Sequence, residues 1–174
     1  MEFDSLSQMP EWNDEEFRDE DEEGEEWKTK ATRDACKALY KQWQQVMVLV
    51  NGALESMNLR EKENAGLPER QSFPVDYWED HKSMILADAY QIAVKIQSSE
   101  IGNMYTLRME NASIIRKNAQ FIKSSILTMM IERIVEEDHG QVIRDEIDKF
   151  REVFKEWVNS FQKDEFEDEW GLFN

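Results

Sequence analysis

Residues 141–161 read QVIRDEIDKFREVFKEWVNSF, and within them Ile143, Ile147, Phe150, Phe154, Trp157 and Phe161 recur at steps of 4, 3, 4, 3 and 4. Alternating steps of three and four keep side chains on one face of a helix with 3.6 residues per turn, so the stretch predicts an amphipathic α-helix. Three Phe and one Trp on one stripe would also suit an aromatic ligand box. Aromatic side chains dominate the energetics of ordinary cores, however, and the stripe is read as core.

The same alternation runs through Leu39, Trp43, Val46, Val50, Ala53 and Met57. It predicts a first helix that starts near Thr29 or Thr32, whose hydroxyls suit an N-cap, and ends before Asn58. Gly52 inside it costs about 1 kcal/mol relative to Ala, which a close helix contact or simple tolerance would explain. A further helix is expected from Val75 to Ser98, with Ile85, Ala89, Ile92 and Ile96 on its buried face and Asp76 as N-cap. Gly102 and Asn103 then suit a helix stop and the next cap, and so short a link makes its two helices antiparallel neighbours. A third helix is expected over residues 104–137, the longest of the four at about 50 Å. Asp138-His139-Gly140 breaks it from the helix first quoted.

Residues 58–76 carry Asn64, Gly66, Pro68 and Pro74 and no period, which predicts a long flexible connection. The fold class expected is therefore all-α, one antiparallel four-helix bundle over residues 28–163.

Charge divides the chain at the same places. Residues 1–27 hold 13 acids and one base, Arg18; residues 164–174 hold five acids and no base. Between them 20 acids balance 20 bases, so the whole net charge of −17 sits in the two ends. The segments 1–27 and 164–174 are expected to be mobile acidic tails on a neutral domain. A neutral bundle argues against nucleic-acid binding, which draws on clustered Lys and Arg. The first ten residues show no signal-peptide pattern and no run approaches a membrane span, so no membrane association is expected. A single cysteine, Cys36, allows no internal disulfide and suits a reducing, cytoplasmic setting.

Chemistry leaves little trace. A carboxylate-bridged di-metal bundle needs two Glu-x-x-His motifs, whereas the chain has one, Glu136 to His139, and only two histidines. No Gly-rich phosphate loop is present, and neither metal nor cofactor is expected. The one unusual pattern is a polar column, Asn111, Asn118, Ser125 and Glu132, running down the apolar face of the third helix. Buried amides must find partners, so the column predicts bonds to a neighbouring helix that fix register. The alternative is a polar cavity for a small ligand or a reaction, served by acids such as Glu110 or Glu132.

Both tails mix acids with large apolar residues: Phe3, Leu6, Met9, Trp12, Phe17 and Trp27 at one end, Phe166, Trp170, Leu172 and Phe173 at the other. These side chains either dock on the chain's own bundle or serve as anchors for a protein partner with a basic rim around an apolar groove. Trp170, Leu172 and Phe173 are the best anchor candidates, and the partner is another protein or a second copy.

Tyr105-Thr-Leu-Arg-Met-Glu-Asn-Ala-Ser-Ile-Ile-Arg116, together with the ending Asp168-Glu-Trp-Gly-Leu-Phe173, resembles an uncharacterised family of small acidic all-helical proteins of Bacteroidota. The resemblance implies a bacterial, cytoplasmic, helical protein and no particular activity. The function expected from the residues is a non-enzymatic interaction module, with the ligand-binding or catalytic bundle as the alternative.

Overall fold

The computed structural model describes residues 9–17, 26–57 and 74–173. Among them lie four α-helices and no strand: α1 Glu26–Glu55, α2 Val75–Ser98, α3 Tyr105–Ile131 and α4 Glu137–Asn159. Two short 3-10 turns, Asp14–Phe17 and Ile101–Asn103, complete the described elements.

The bonds between helices give the topology directly. Cys36 Sγ donates to the Ile96 carbonyl and Trp43 Nε1 to the Ala89 carbonyl, so α1 and α2 run oppositely. Asn111 reaches Ser98 and Ser99 while Asn118 reaches Gln91, which opposes α2 and α3. Lys123 pairs with Asp148, and Gly140 approaches Met130, which opposes α3 and α4. Thr32 bonds Ser160 and Gln42 bonds Glu146, which closes the ring by opposing α4 and α1. The result is an up-down-up-down, all-α four-helix bundle.

The periodic stripes form its core. Leu39, Trp43, Val46 and Val50 of α1, Ile85, Ala89, Ile92 and Ile96 of α2, and Ile143, Ile147, Phe150 and Trp157 of α4 are buried together. The aromatic stripe of α4 packs ring on ring, with Trp157 edge-on to Phe161 at 4.7 Å and Phe150 tilted against Trp43 at 4.8 Å. No described helix is long and apolar enough to cross a membrane, and no described group of three or more His, Cys, Asp or Glu is placed to hold a metal.

Several boundaries differ from expectation. The first helix begins at Glu26, and the Thr32 hydroxyl donates across to the Ser160 carbonyl at 2.8 Å instead of capping. Pro74, not Asp76, precedes α2 as its cap residue. Gly102 does take a left-handed conformation, φ +72°, but Asn103 follows it at φ +48° and Met104 becomes the cap residue of α3. The largest difference is the end of α3, which stops at Ile131, so that α1 with 30 residues is the longest helix. Arg133 adopts φ +57°, its N–H donates to the Met130 carbonyl at 3.0 Å, and Ile134 N–H donates to Met129 at 2.8 Å. These are the two bonds of a Schellman stop, which here buries Ile134 and Val135 against the core. Asp138, His139 and Gly140 are helical, in the first turn of α4. Gly140 serves close packing there, since a Cβ would run into the Met130 side chain.

Gly52 meets nothing within 4 Å, so no helix contact requires it. The long connection expected over residues 58–76 lies, for residues 58–73, outside the described residues.

Candidate functional site

The two acidic ends behave differently. Residues 9–17, expected to belong to a mobile tail, lie against α1 and the end of α2. Met9 and Trp12 pack on the core and Phe17 is buried. Three backbone carbonyls of the segment are taken by the bundle: Tyr40 Oη donates to Pro10, Gln97 Nε2 to Glu11 at 2.9 Å and Arg33 Nη2 to Phe17 at 2.6 Å. Burial pushes the Tyr40 hydroxyl up to about 12, so it remains a donor. Lys37, together with a bond from the Trp12 indole, holds the Asp14 carboxyl below its ordinary value. Met9, Trp12 and Phe17 of this end are thus spent on its own bundle, while Trp27, in the first turn of α1, is exposed. Phe3 and Leu6 lie outside the described residues.

The C-terminal end is ordered by a different device. Asp164 Oδ2 accepts the Tyr105 backbone N–H at 2.7 Å, capping the free first turn of α3 and anchoring the root of the segment. Four residues on, the Asp168 carboxylate accepts the N–H groups of Trp170 at 3.1 Å, Leu172 at 2.7 Å and Phe173 at 3.3 Å. Gly171, at φ +69°, lets the chain turn tightly enough for all three to converge. Those N–H groups hold the Asp168 carboxyl below its ordinary value. The hook formed by residues 164–173 turns its apolar side chains outward. Trp170 is 89% exposed, the most of any large apolar side chain among the described residues, and Leu172 is 75% exposed. Phe173 is half-buried and Phe166 exposed.

The polar column of α3 is buried for three of its four members, Asn111, Asn118 and Ser125. Asn111 Nδ2 donates to Ser98 Oγ and Ser99 Oγ, each at 3.2 Å, and Asn118 Nδ2 donates to Gln91 Oε1 at 2.6 Å. Both amides therefore tie α3 to α2. Glu132 stands apart, half-exposed at the C-cap of α3, because the helix ends before the column reaches it.

Above Asn111 lies a group that periodicity could not find. Glu100, in the link between α2 and α3, has a fully buried side chain; its Oε2 lies 3.5 Å from Arg108 Nη2 and 3.7 Å from Arg33 Nε. Arg108 Nη2 also donates to Asn103 Oδ1 at 2.9 Å. Cys36 is buried beside them, and burial, reinforced by the Glu100 charge, pushes its thiol well up. A thiol held protonated is no nucleophile. The three charges come from three separate elements, and no single stretch of sequence announces their meeting.

Two cavities adjoin α4. One, of about 440 Å³, surrounds the α3–α4 turn and is lined by Met130, Arg133, Ile134, Glu136, Glu137 and His139 among others. The second, of about 300 Å³, lies between α3 and α4, with Ala119, Ile147, Phe150 and Phe154 as an apolar floor. Arg116, Lys123, Arg151 and Lys155 line its rim, with Asp148 as the acid among them. Neither cavity is lined by Asn111, Asn118 or Ser125. The balanced charge count of the bundle had concealed this cluster of bases.

A scan against protein-family models finds no match, and neither the curated proteins nor the solved structures yield a significant one.

Proposed function

We propose that the protein is a non-enzymatic interaction module that presents its C-terminal hook to a protein partner. The observation that carries this reading is the contrast between the two ends. Met9, Trp12 and Phe17 are spent on the bundle, whereas Trp170 and Leu172 are held out in solvent by a turn bonded at its base. An apolar side chain kept in water forfeits roughly 1.5–3 kcal/mol of burial, a loss that binding would recover. Ordering the hook beforehand lowers the entropy cost of that binding. The acids that run up to Trp170 keep the anchor soluble and favour a partner whose apolar groove is rimmed by Lys and Arg.

The alternative, a ligand-binding or catalytic stripe on α3, draws less support, because the Asn111 and Asn118 amides already bond α2. Affinity capture from the native cells tests the reading, comparing the full chain with a Trp170→Ala/Leu172→Ala variant. A specific, salt-sensitive protein retained by the first and lost by the second is the expected result. Retention of the same proteins by both would remove the hook from the account.

A further inference from the structure

We infer that the groove between α3 and α4 is the acceptor for the hook of a second copy of this chain. The inference rests on the reading of the hook as a binding segment and names its partner. Hook and groove are complementary within one sequence. The hook carries five acids and no base, all ahead of Trp170 and Leu172. The groove offers the opposite: an apolar floor built on Phe150 and Phe154 beneath Arg116, Lys123, Arg151 and Lys155. Its one lining acid, Asp148, is already paired with Lys123 and with Arg151 at 3.0 Å. Arg116 and Lys155 are exposed at the rim, and Lys155 has Glu152 as a partner at 2.8 Å that an incoming carboxylate would displace or share. At about 300 Å³ the cavity is at the low end for ligand pockets and suits a single large anchor side chain.

The chain's own hook is poorly placed to enter. Asp164 fixes its root to Tyr105, and Arg116 lies eleven residues along α3 from there, about 16 Å at 1.5 Å per residue. In the folded hook Trp170 is 89% exposed and so lies outside this groove. A second copy can instead bring the hook in folded. If each copy offers both hook and groove, two copies exchanging hooks form a closed, two-fold dimer with no unused site, which ends assembly at two.

Sedimentation velocity of the full chain over a range of concentrations, at low and high salt, tests this. The expected result is a monomer–dimer equilibrium that weakens with salt. Trp170→Ala/Leu172→Ala and, separately, Arg116→Glu/Lys155→Glu should each lower the association constant about tenfold or more, with unchanged helical circular dichroism. Mixing the Arg116→Glu/Lys155→Glu chain with a Glu167→Lys/Glu169→Lys chain should restore a mixed dimer, since each groove then matches the other chain's hook. A monomer at every concentration would overturn the self-acceptor while leaving the hook's affinity for another protein to the capture experiment. A dimer that survives the hook substitutions, or that responds to the hook but not to the groove, would overturn it equally.

Discussion

The Asp168 carboxylate accepts the Leu172 backbone N–H at 2.7 Å, across four residues of chain, while the Leu172 side chain stays 75% exposed. A single acid thus fixes the turn that sets two apolar anchors in water. Asp168→Ala should release the hook and reduce partner or self binding about as far as Trp170→Ala, yet leave the bundle's stability within about 0.5 kcal/mol. Amide exchange at Trp170 and Leu172, set beside a thermal melt, separates the two effects.

The same carboxyl gives the hook a pH dependence. Its folded value lies below the ordinary aspartate value of 3.8, so its contribution is complete above that value and is lost as pH falls through the lower, folded one. The Trp170 and Leu172 amides should lose protection only in that acid range. Loss near neutrality would point to a different group.

The buried Glu100 carboxylate stands between the guanidinium groups of Arg108 and Arg33, and its removal leaves the buried Arg108 charge without a carboxylate partner. Glu100→Ala should therefore cost about 3–5 kcal/mol in urea denaturation, and Glu100→Gln less, since it retains an acceptor. Equal stability of wild type and Glu100→Ala would mean that the arginines find other partners.

Two glycines make opposite predictions. Gly52→Ala meets open space within a regular helix and should stabilise by about 0.5–1 kcal/mol. Gly140→Ala drives a methyl group into Met130 and should destabilise by about 1–3 kcal/mol, less if Met130 swings aside. Both are read from chemical denaturation midpoints.

Cys36 is buried and its thiol pushed up by desolvation, so a thiol reagent at neutral pH should modify it only as fast as the bundle opens. Fast modification of the native chain would contradict the packing of α1 against α2 at Ile96.

The helices were legible because Ile143 through Phe161 and Leu39 through Ala53 carry their burial as a period in sequence. The end of α3 was not, because the left-handed stop fell on Arg133 where a glycine or asparagine is the usual signal. Gly140 misled in the complementary way, as a residue chosen for close approach and read as a breaker. At the candidate site, sequence singled out Trp170, Leu172 and Phe173 as a compact, terminal apolar cluster in an acidic segment. It had no means of seeing that Asp168 orders them, or that Arg116, Lys123, Arg151 and Lys155, drawn from two helices, gather on one groove. Charge totals along a chain report balance and not where side chains meet.

The proposed contact between the hook and a protein runs through Trp170. A photo-crosslinking amino acid placed at position 170 of the full chain, in its native cells, tests it most directly. The expected result is a discrete crosslinked protein at that position, lost when Asp168 is also changed to Ala and absent when the probe sits at exposed Val48 on α1. No crosslink at position 170, or the same products from position 48, would contradict it.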